Sequence, residues 1–564
     1  MTFVPMPPAL IVDHTEPPPG SWEREGSHFP LPLSPFAKVL MRQEEWAREL
    51  CDELGSLIET VQFIEIGGWV YSRVVPFGGR FDRPPPPSWL IPILFRAVPS
   101  IRRRIRAAKT ALDTDWAGRQ IDAWYGEWHD ALGARLATAL AVNTTVLDDS
   151  ALDEHLRSSI TLAHDSFIVH FRLHLAIANV LRAFTSTCSD LLGWDDERSL
   201  SVLTGTSTSS TEAGRALADL ARVAGRSAQV CTLLASAPTH EVLAADPEFA
   251  AAFSDYAERF CFRALTYDVR DPTLAERPEL VLNLVRDQLA DGRPKVSPGD
   301  GAPLIAEARA RLATAPAQDR ARFERTLTRA LRAYPVREDN VYPTVSAPVA
   351  LLRSVGLEMG RRLADRGQLD AIDDVFLLLA DEARSALLDG ADAREIVGRH
   401  RNARHHTLAH PGPPTFGPPL AARPSLRGIP VPARTLTEDG LWLIDLVMTA
   451  PPRQQPGDQL ITGVPGARGA ASGPVRIVMD ENEFDKLQAG DVLVCPCTSP
   501  TWSIVFPSIA AVVTDSGGIL SHPAIVAREF GIPAVVATGA ATTRLRDGQR
   551  VIVDGSAGSV RIEP

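Results

Sequence analysis

The chain of 564 residues reads as a multidomain α plus α/β protein: a large, mainly helical body followed by a small β/α/β domain. Three observations predict this. From about Pro92 to Arg401 apolar residues recur at helical spacing in a series of long segments. Around Leu408–Arg434 the composition turns dense in proline and poor in helix formers, as in a semi-rigid linker. Beyond Thr462 short β-branched runs recur, with one helical piece among them. The expected division is a body over 1–407, a Pro-rich linker and connecting segment over 408–461, and a small domain over 462–564.

The elements follow in order. The first 35 residues are proline-rich and predicted mostly extended. Apolar spacing predicts a helix from about Pro35 to Glu59. Gln62–Pro76 alternates and is predicted to form a hairpin turning at Gly67-Gly68. Pro84-Pro85-Pro86-Pro87 is a breaker. Helices are predicted over Ser150–Thr187, Ser207–Ser236, Phe249–Leu265, Glu276–Leu289, Ala302–Tyr334 and Ala347–Arg366. In the small domain the predicted strands are Pro474–Val478, Val492–Cys495, Ala511–Thr514, Ala534–Val536, Arg550–Val553 and Val560–Ile562, with a helix over His522–Phe530. A proline linker before so small a domain predicts rigid-body freedom for it.

Composition narrows the function. With 45% hydrophobic and 23% charged residues the chain can bury sizeable cores. Its 58 basic and 69 acidic residues give a net charge of −11, which disfavours duplex binding. The 6 cysteines are scattered and form no disulfide framework, as in a reducing cytoplasm. Met1–Pro19 lacks the basic and apolar regions of a secretory signal. Ser88–Val98 is too short to span a bilayer. The run Arg102, Arg103, Arg104 and Arg106 reads as a solvated helix face. The expectation is a cytoplasmic protein with no nucleic-acid or membrane partner.

The informative segment is Val513–Val536, VTDSGGILSHPAIVAREFGIPAVV. A strand runs into Gly517-Gly518 and a helix begins near Ser521-His522, with Pro523 in its favoured place in the first turn. Glycines at a strand-to-helix turn let backbone approach an anion, and the helix N-terminus favours negative charge. A phosphate on His522 suits that position, with Arg528 adding a charge-assisted contact. By spacing alone a histidine at a helix start is usually a surface or capping residue.

The segment resembles the mobile phosphohistidine domain of the phosphoenolpyruvate-utilising enzymes, with pattern T-D-x-G-G-x-x-S-H-A-A-I-V-A-R-E-x-G-I-P-A-V. The chain matches it through Thr514-Asp515, Gly517-Gly518, Ser521-His522, Ala524–Glu529 and Gly531–Val535, with Pro523 in place of an alanine. Thr498-Ser499-Pro500-Thr501-Trp502 resembles the family's T-S/D-P-x-W loop. Trp22–Pro35, Arg337-Glu338-Asp339-Asn340 and Gly360–Phe376 resemble the substrate-binding domain of rifampicin phosphotransferase-like proteins, and Cys261-Phe262-Arg263 stands where relatives often have Gly-His-Arg. The resemblance implies a swivelling phosphohistidine-type domain. It assigns His522 as phosphoryl carrier and Arg337 and Glu338 as acceptor-side catalytic residues. Thr498, Ser499, Trp502, Gly517, Gly518, Ser521, Arg528, Arg263, His170 and His174 become candidates for binding phosphate or substrate.

In rifampicin phosphotransferase an ATP-binding domain charges the histidine. No G-x-x-x-x-G-K-[ST] occurs here, and the lysines are Lys38, Lys109, Lys295 and Lys486. Gly78-Gly79-Arg80 and Gly205-Thr206-Ser207 read as turns. Two expectations stand side by side. In one, a separate ATP-binding or kinase subunit phosphorylates His522, which passes phosphate to a hydroxyl or enol of a small apolar substrate. That chemistry implies Mg2+ but no cofactor bound by this chain. In the other, unphosphorylated His522 is a general acid/base in a cyclase, dehydratase or isomerase of secondary metabolism. His170 and His174 share a helix face but have no third metal ligand, so no metal site is predicted; lining a helical cleft fits the same spacing. For Arg337 and Glu338 the bland counterpart is a surface ion pair.

Overall fold

A computed structural model describes residues 13–563 except 15–16, 27, 79–92, 94–96, 208, 292–300, 411, 419–425, 427, 448–456 and 458. The proline run Pro84–Pro87, most of Ser88–Val98, Gly79-Arg80, Lys295 and part of the Pro-rich linker lie outside the described residues. The chain forms two compact units. They divide it differently from the linear boundaries expected at 407 and 462.

The first unit comprises Met1–Asn179, Tyr267–Arg270 and Pro343–Trp442. Its five-stranded sheet runs in the order Asp13–His14, Ile58–Ile66, Trp69–Pro76, Trp22–Arg24 and Thr415–Phe416. The predicted hairpin is its centre, turning through Gly67 and Gly68 at φ 56° and 83°. These left-handed angles suit the twist of a two-residue turn. The helix predicted to reach Glu59 stops at Leu54. The Pro-rich start and the linker each contribute a strand, Trp22–Arg24 pairing with Thr415–Phe416, and Trp22, Ile66, Trp69 and Tyr71 bury one face of the sheet. The segment expected to be connecting chain also carries the helix Val431–Val447. Arg104 is buried rather than solvated, donating to the carbonyls of Cys51 and Ile58 at 3.2 and 3.1 Å.

The helix Asp149–Leu192 begins in this unit and ends in the second. By length and composition it is the one helix among the described residues that could cross a membrane. Its Leu152, Leu156, Ile160, Phe167, Leu173, Ile177, Leu181 and Phe184 are buried in protein instead, the stripe of a core helix.

The second unit comprises Val180–Thr266, Asp271–Tyr342 and Leu443–Pro564. Its helices include Ser209–Ala224, Pro247–Phe260, Pro278–Asp291 and Ala317–Ala333. Local chemistry sets their bounds: Asp246 accepts from the N–H groups of Glu248 and Phe249 ahead of Pro247. The C-terminal sheet has eight strands, in the order Leu460–Thr462, Ser559–Ile562, Arg550–Asp554, Ala470–Ile477, Val492–Cys495, Ala511–Thr514, Ala534–Val536 and Val464–Ala467. Val492–Cys495, Ala511–Thr514 and Ala534–Val536 pair in parallel and are fully buried, which is why they read as unbroken apolar runs. The helix His522–Phe530 joins the last two of these.

One apolar cluster links the helices to this sheet. Leu217, Leu220, Phe249, Phe253 and Val281 pack in it together with Trp502, Phe506, Val526 and Phe530. The fit is close at Gly214, where a Cβ would come within 2.9 Å of the Phe530 ring. In this arrangement the small domain is seated on helices, not suspended from its linker. Removing the Phe530 side chain empties the middle of that contact. Phe530→Ala is expected to lower the unfolding free energy by about 3–5 kcal/mol, read by chemical denaturation.

Candidate functional site

The turn before His522 is built by its own residues. Gly517 sits at φ 105°, and a Cβ there would meet the Ser521 Oγ at 2.8 Å. The Ser521 hydroxyl donates to the Gly518 carbonyl at 2.6 Å. It is therefore used within the turn and does not cap the helix. Asp515 is structural. It accepts from the Ala541 N–H at 2.6 Å and the Thr538 hydroxyl at 3.0 Å, tying this loop to the one after Ala534–Val536.

His522 opens the helix, and its Nδ1 lies 3.2 Å from the Glu338 Oε2. Both side chains are about nine-tenths buried. Glu338 and the adjacent, buried Arg337 lie on the short helix Val336–Asp339. The structure thus brings together all three residues that the resemblance named catalytic. With Nδ1 facing the carboxylate, the Nδ1–H tautomer leaves Nε2 as the basic, nucleophilic nitrogen. Nε2 is buried and has no partner among the described residues. The Phe506 ring stands edge-on to the imidazole at 6.3 Å.

The Thr498–Trp502 loop lies beside this turn, because the Pro496 carbonyl accepts from both the N–H and the hydroxyl of Ser516, at 3.0 and 2.9 Å. Trp502 is buried against Phe484 and donates to the Glu481 Oε1 at 2.5 Å. The Thr498 hydroxyl is buried with no partner among the described residues. Ser499 and Arg528 depart from expectation. Ser499 donates to the Leu265 carbonyl at 2.5 Å, so its hydroxyl braces the loop. Arg528 donates to the carbonyls of Gly466 and Ile519, both at 2.6 Å, clamping the back of its helix. Helical periodicity explains this: Arg528 is six residues past His522, more than one and a half turns on and facing the other way.

His170 and His174 belong to the first unit. Their ring centroids lie 4.1 Å apart with the planes tilted by 55°, the His170 Nδ1 at 3.1 Å from the Thr344 hydroxyl and the His174 Nδ1 at 2.9 Å from the His170 carbonyl. Among the described residues no group of three or more His, Cys, Asp or Glu could hold a metal ion. Arg263, in the second unit, has its guanidinium 4.7 Å above the Tyr342 ring.

Two buried carboxyls escaped the sequence reading. Glu529 accepts the Gly205 N–H through both oxygens, at 3.1 and 3.0 Å. Burial, with repulsion from Glu338, raises its pKa to about 7 against the pull of that N–H and of Arg528. Burial likewise raises Glu481 to about 8, against its bond from Trp502. The only sequence sign of Glu529 was its place in the A-R-E motif. Unfolding returns both groups to the ordinary glutamate range. The folded state therefore holds protons that the unfolded state has released, and stability falls as pH rises from about 4.5 to about 8. Glu529→Gln is expected to match wild type near pH 5 and to exceed it near pH 8 in thermal midpoint; a pH-independent difference would contradict this.

Similarity to known proteins follows the same geometry. Residues 487–558 match the model of the PEP-utilising enzyme mobile domain, and residues 173–338 match that of the rifampicin phosphotransferase fourth domain. These spans contain His522 and Glu338 respectively. The chain is 34% identical over 247 residues to an uncharacterised phosphotransferase, YvkC, of Bacillus subtilis, covering 43% of this chain and 27% of that one. It is 29% identical over 380 residues to a rifampicin phosphotransferase of Streptomyces sviceus, covering 62% and 39%. It is 30% identical over 419 residues to the chondramide synthase cmdD of Chondromyces crocatus, covering 70% and 10%. The chain thus spans between a tenth and two fifths of the length of these relatives. It carries one segment similar to the PEP-utilising enzyme mobile domain and one similar to the rifampicin phosphotransferase fourth domain.

Proposed function

We propose that the protein is a phosphotransferase in which His522 carries a phosphoryl group to a small, largely apolar acceptor. The observation that carries this reading is the buried contact between His522 and Glu338, which leaves Nε2 as the nucleophile. The mobile-domain match and the phosphotransferase names of relatives support it. In the loading step Nε2 attacks the phosphorus of the donor. The N–P bond forms as the bond from phosphorus to the donor's leaving oxygen breaks. The donor is ATP, held by a separate ATP-binding subunit. In the transfer step a hydroxyl or enol oxygen of the acceptor attacks the same phosphorus. The N–P bond breaks, its electron pair returns to Nε2, and the acceptor proton passes to Glu338. Arg337 balances phosphoryl charge. Mg2+ would enter with the donor; the described residues form no resident metal cluster, so no step is assigned to it.

A second reading rests on the same contact. A carboxylate–imidazole pair is also a general acid/base dyad, and a protein named a synthase shares similarity over 70% of this chain. In that reading His522 transfers only protons, in a tailoring step of secondary metabolism.

Intact-mass spectrometry of the protein from its native host, kept neutral to alkaline, separates the two. A gain of one phosphoryl group that His522→Ala abolishes is expected. No adduct, even after incubation with host extract and ATP or phosphoenolpyruvate, would sink the carrier reading. Glu338→Gln is expected to load His522 normally and to slow transfer to the acceptor by about 10²–10⁴-fold.

A further inference from the structure

Among the described residues Arg263 is a cation without a counter-ion. No carboxylate and no hydrogen-bond acceptor pairs with its guanidinium among the described residues, and its Nε is buried without an acceptor. The carboxylate that acts on it electrostatically, Glu212, is already engaged by Arg259 at 2.7 Å. What surrounds Arg263 is aromatic: Tyr342 at 4.7 Å and Phe260 at 5.6 Å from its guanidinium carbon. The hydroxyl of Tyr256 is close enough to interact with it electrostatically and is itself buried without a partner. Burial holds the guanidinium below the usual arginine value. A desolvated, unpaired cation is strongly unfavourable, and such groups are normally paired.

The side chain is nevertheless set in a braced turn. The Cys261 carbonyl accepts from the N–H groups of Arg263 and Ala275 at 2.8 and 2.9 Å, and Ala264 bridges to Thr273. Arg263 and Tyr342 both keep partial access to solvent, as groups lining a recess do. Tyr342 follows Glu338 by four residues along one helical run, which puts it about one turn from the group that meets His522.

We propose that Arg263 is the seat of an oxyanion of the reactants, held bidentately over the Tyr342 ring with the Tyr256 hydroxyl as a further donor. The proposal deepens the phosphotransfer reading: the oxyanion is either the phosphoryl group in transit or a carboxylate on the acceptor. In the second case the acceptor is an organic acid, not a wholly apolar molecule.

The test is thermal stability of the full chain in inorganic phosphate, in benzoate and in chloride at matched ionic strength. Wild type, Arg263→Lys, Arg263→Leu and the surface-pair control Arg259→Gln are compared. Stabilisation by phosphate alone assigns the seat to the phosphoryl group; stabilisation by benzoate, to a substrate carboxylate. Arg263→Lys is expected to weaken the response about tenfold, since it loses the bidentate fork. Arg263→Leu is expected to abolish it while melting no lower than wild type without anion, because no ion pair is broken. Neither anion acting, a full response in Arg263→Leu, or a lower anion-free melting point in that variant would overturn the proposal. Repeating the titration in His522→Ala keeps it independent of the carrier reading, since anion binding at Arg263 survives there even if His522 is never phosphorylated.

Discussion

The burial of one short helix, His522–Phe530, constrains the rest of the second unit. From Pro523 to Phe530 every residue is buried. A nine-residue helix supplies little stability of its own, so its place depends on apolar packing beneath it. Val526 and Phe530 supply that packing against Phe506 and the helix carrying Gly214. Once the apolar face is set, each polar group on the helix must find a partner. Arg528 finds two carbonyls, Glu529 finds the Gly205 N–H, and His522 meets Glu338. Seating and chemistry are consequences of one packing event.

This explains why residues of a single motif divide into two kinds. Gly517, Ser521, Asp515, Arg528 and Glu529 hold the helix and its turn in place. His522 alone in the motif faces a group that chemistry can use. The raised pKa of Glu529 and the unpaired Arg263 are local electrostatic liabilities within the same unit. Groups of this kind concentrate where proteins handle charge in transit.

Seating on the helices also alters the meaning of the proline linker. The small domain shares an apolar core with its helical partner. The interface is nonetheless edged by titratable and ionic contacts, Glu529 on Gly205 and Arg468 on Glu197 at 2.8 Å. Separating these surfaces would re-expose apolar area and break those polar ties.

The sequence by itself determined the local structure of the small domain: the strands Val492–Cys495, Ala511–Thr514 and Ala534–Val536, the helix His522–Phe530 and the glycine turn before it. Buried parallel strands and a proline-started helix have short-range signatures, so they are legible without a partner. It also singled out His522, Arg337 and Glu338, through residue types and family pattern. Tertiary structure alone decided what those residues meet. The separation of 184 residues between Glu338 and His522 carries no periodic signal of their contact, and the direction of Arg528 depends on a helix face that only packing selects. The pairing of Trp22–Arg24 with Thr415–Phe416 was likewise invisible, because a two-residue strand has no pattern. The shifted pKa values of Glu529 and Glu481 belong to the same class, since desolvation is a property of the whole surroundings and not of the residue.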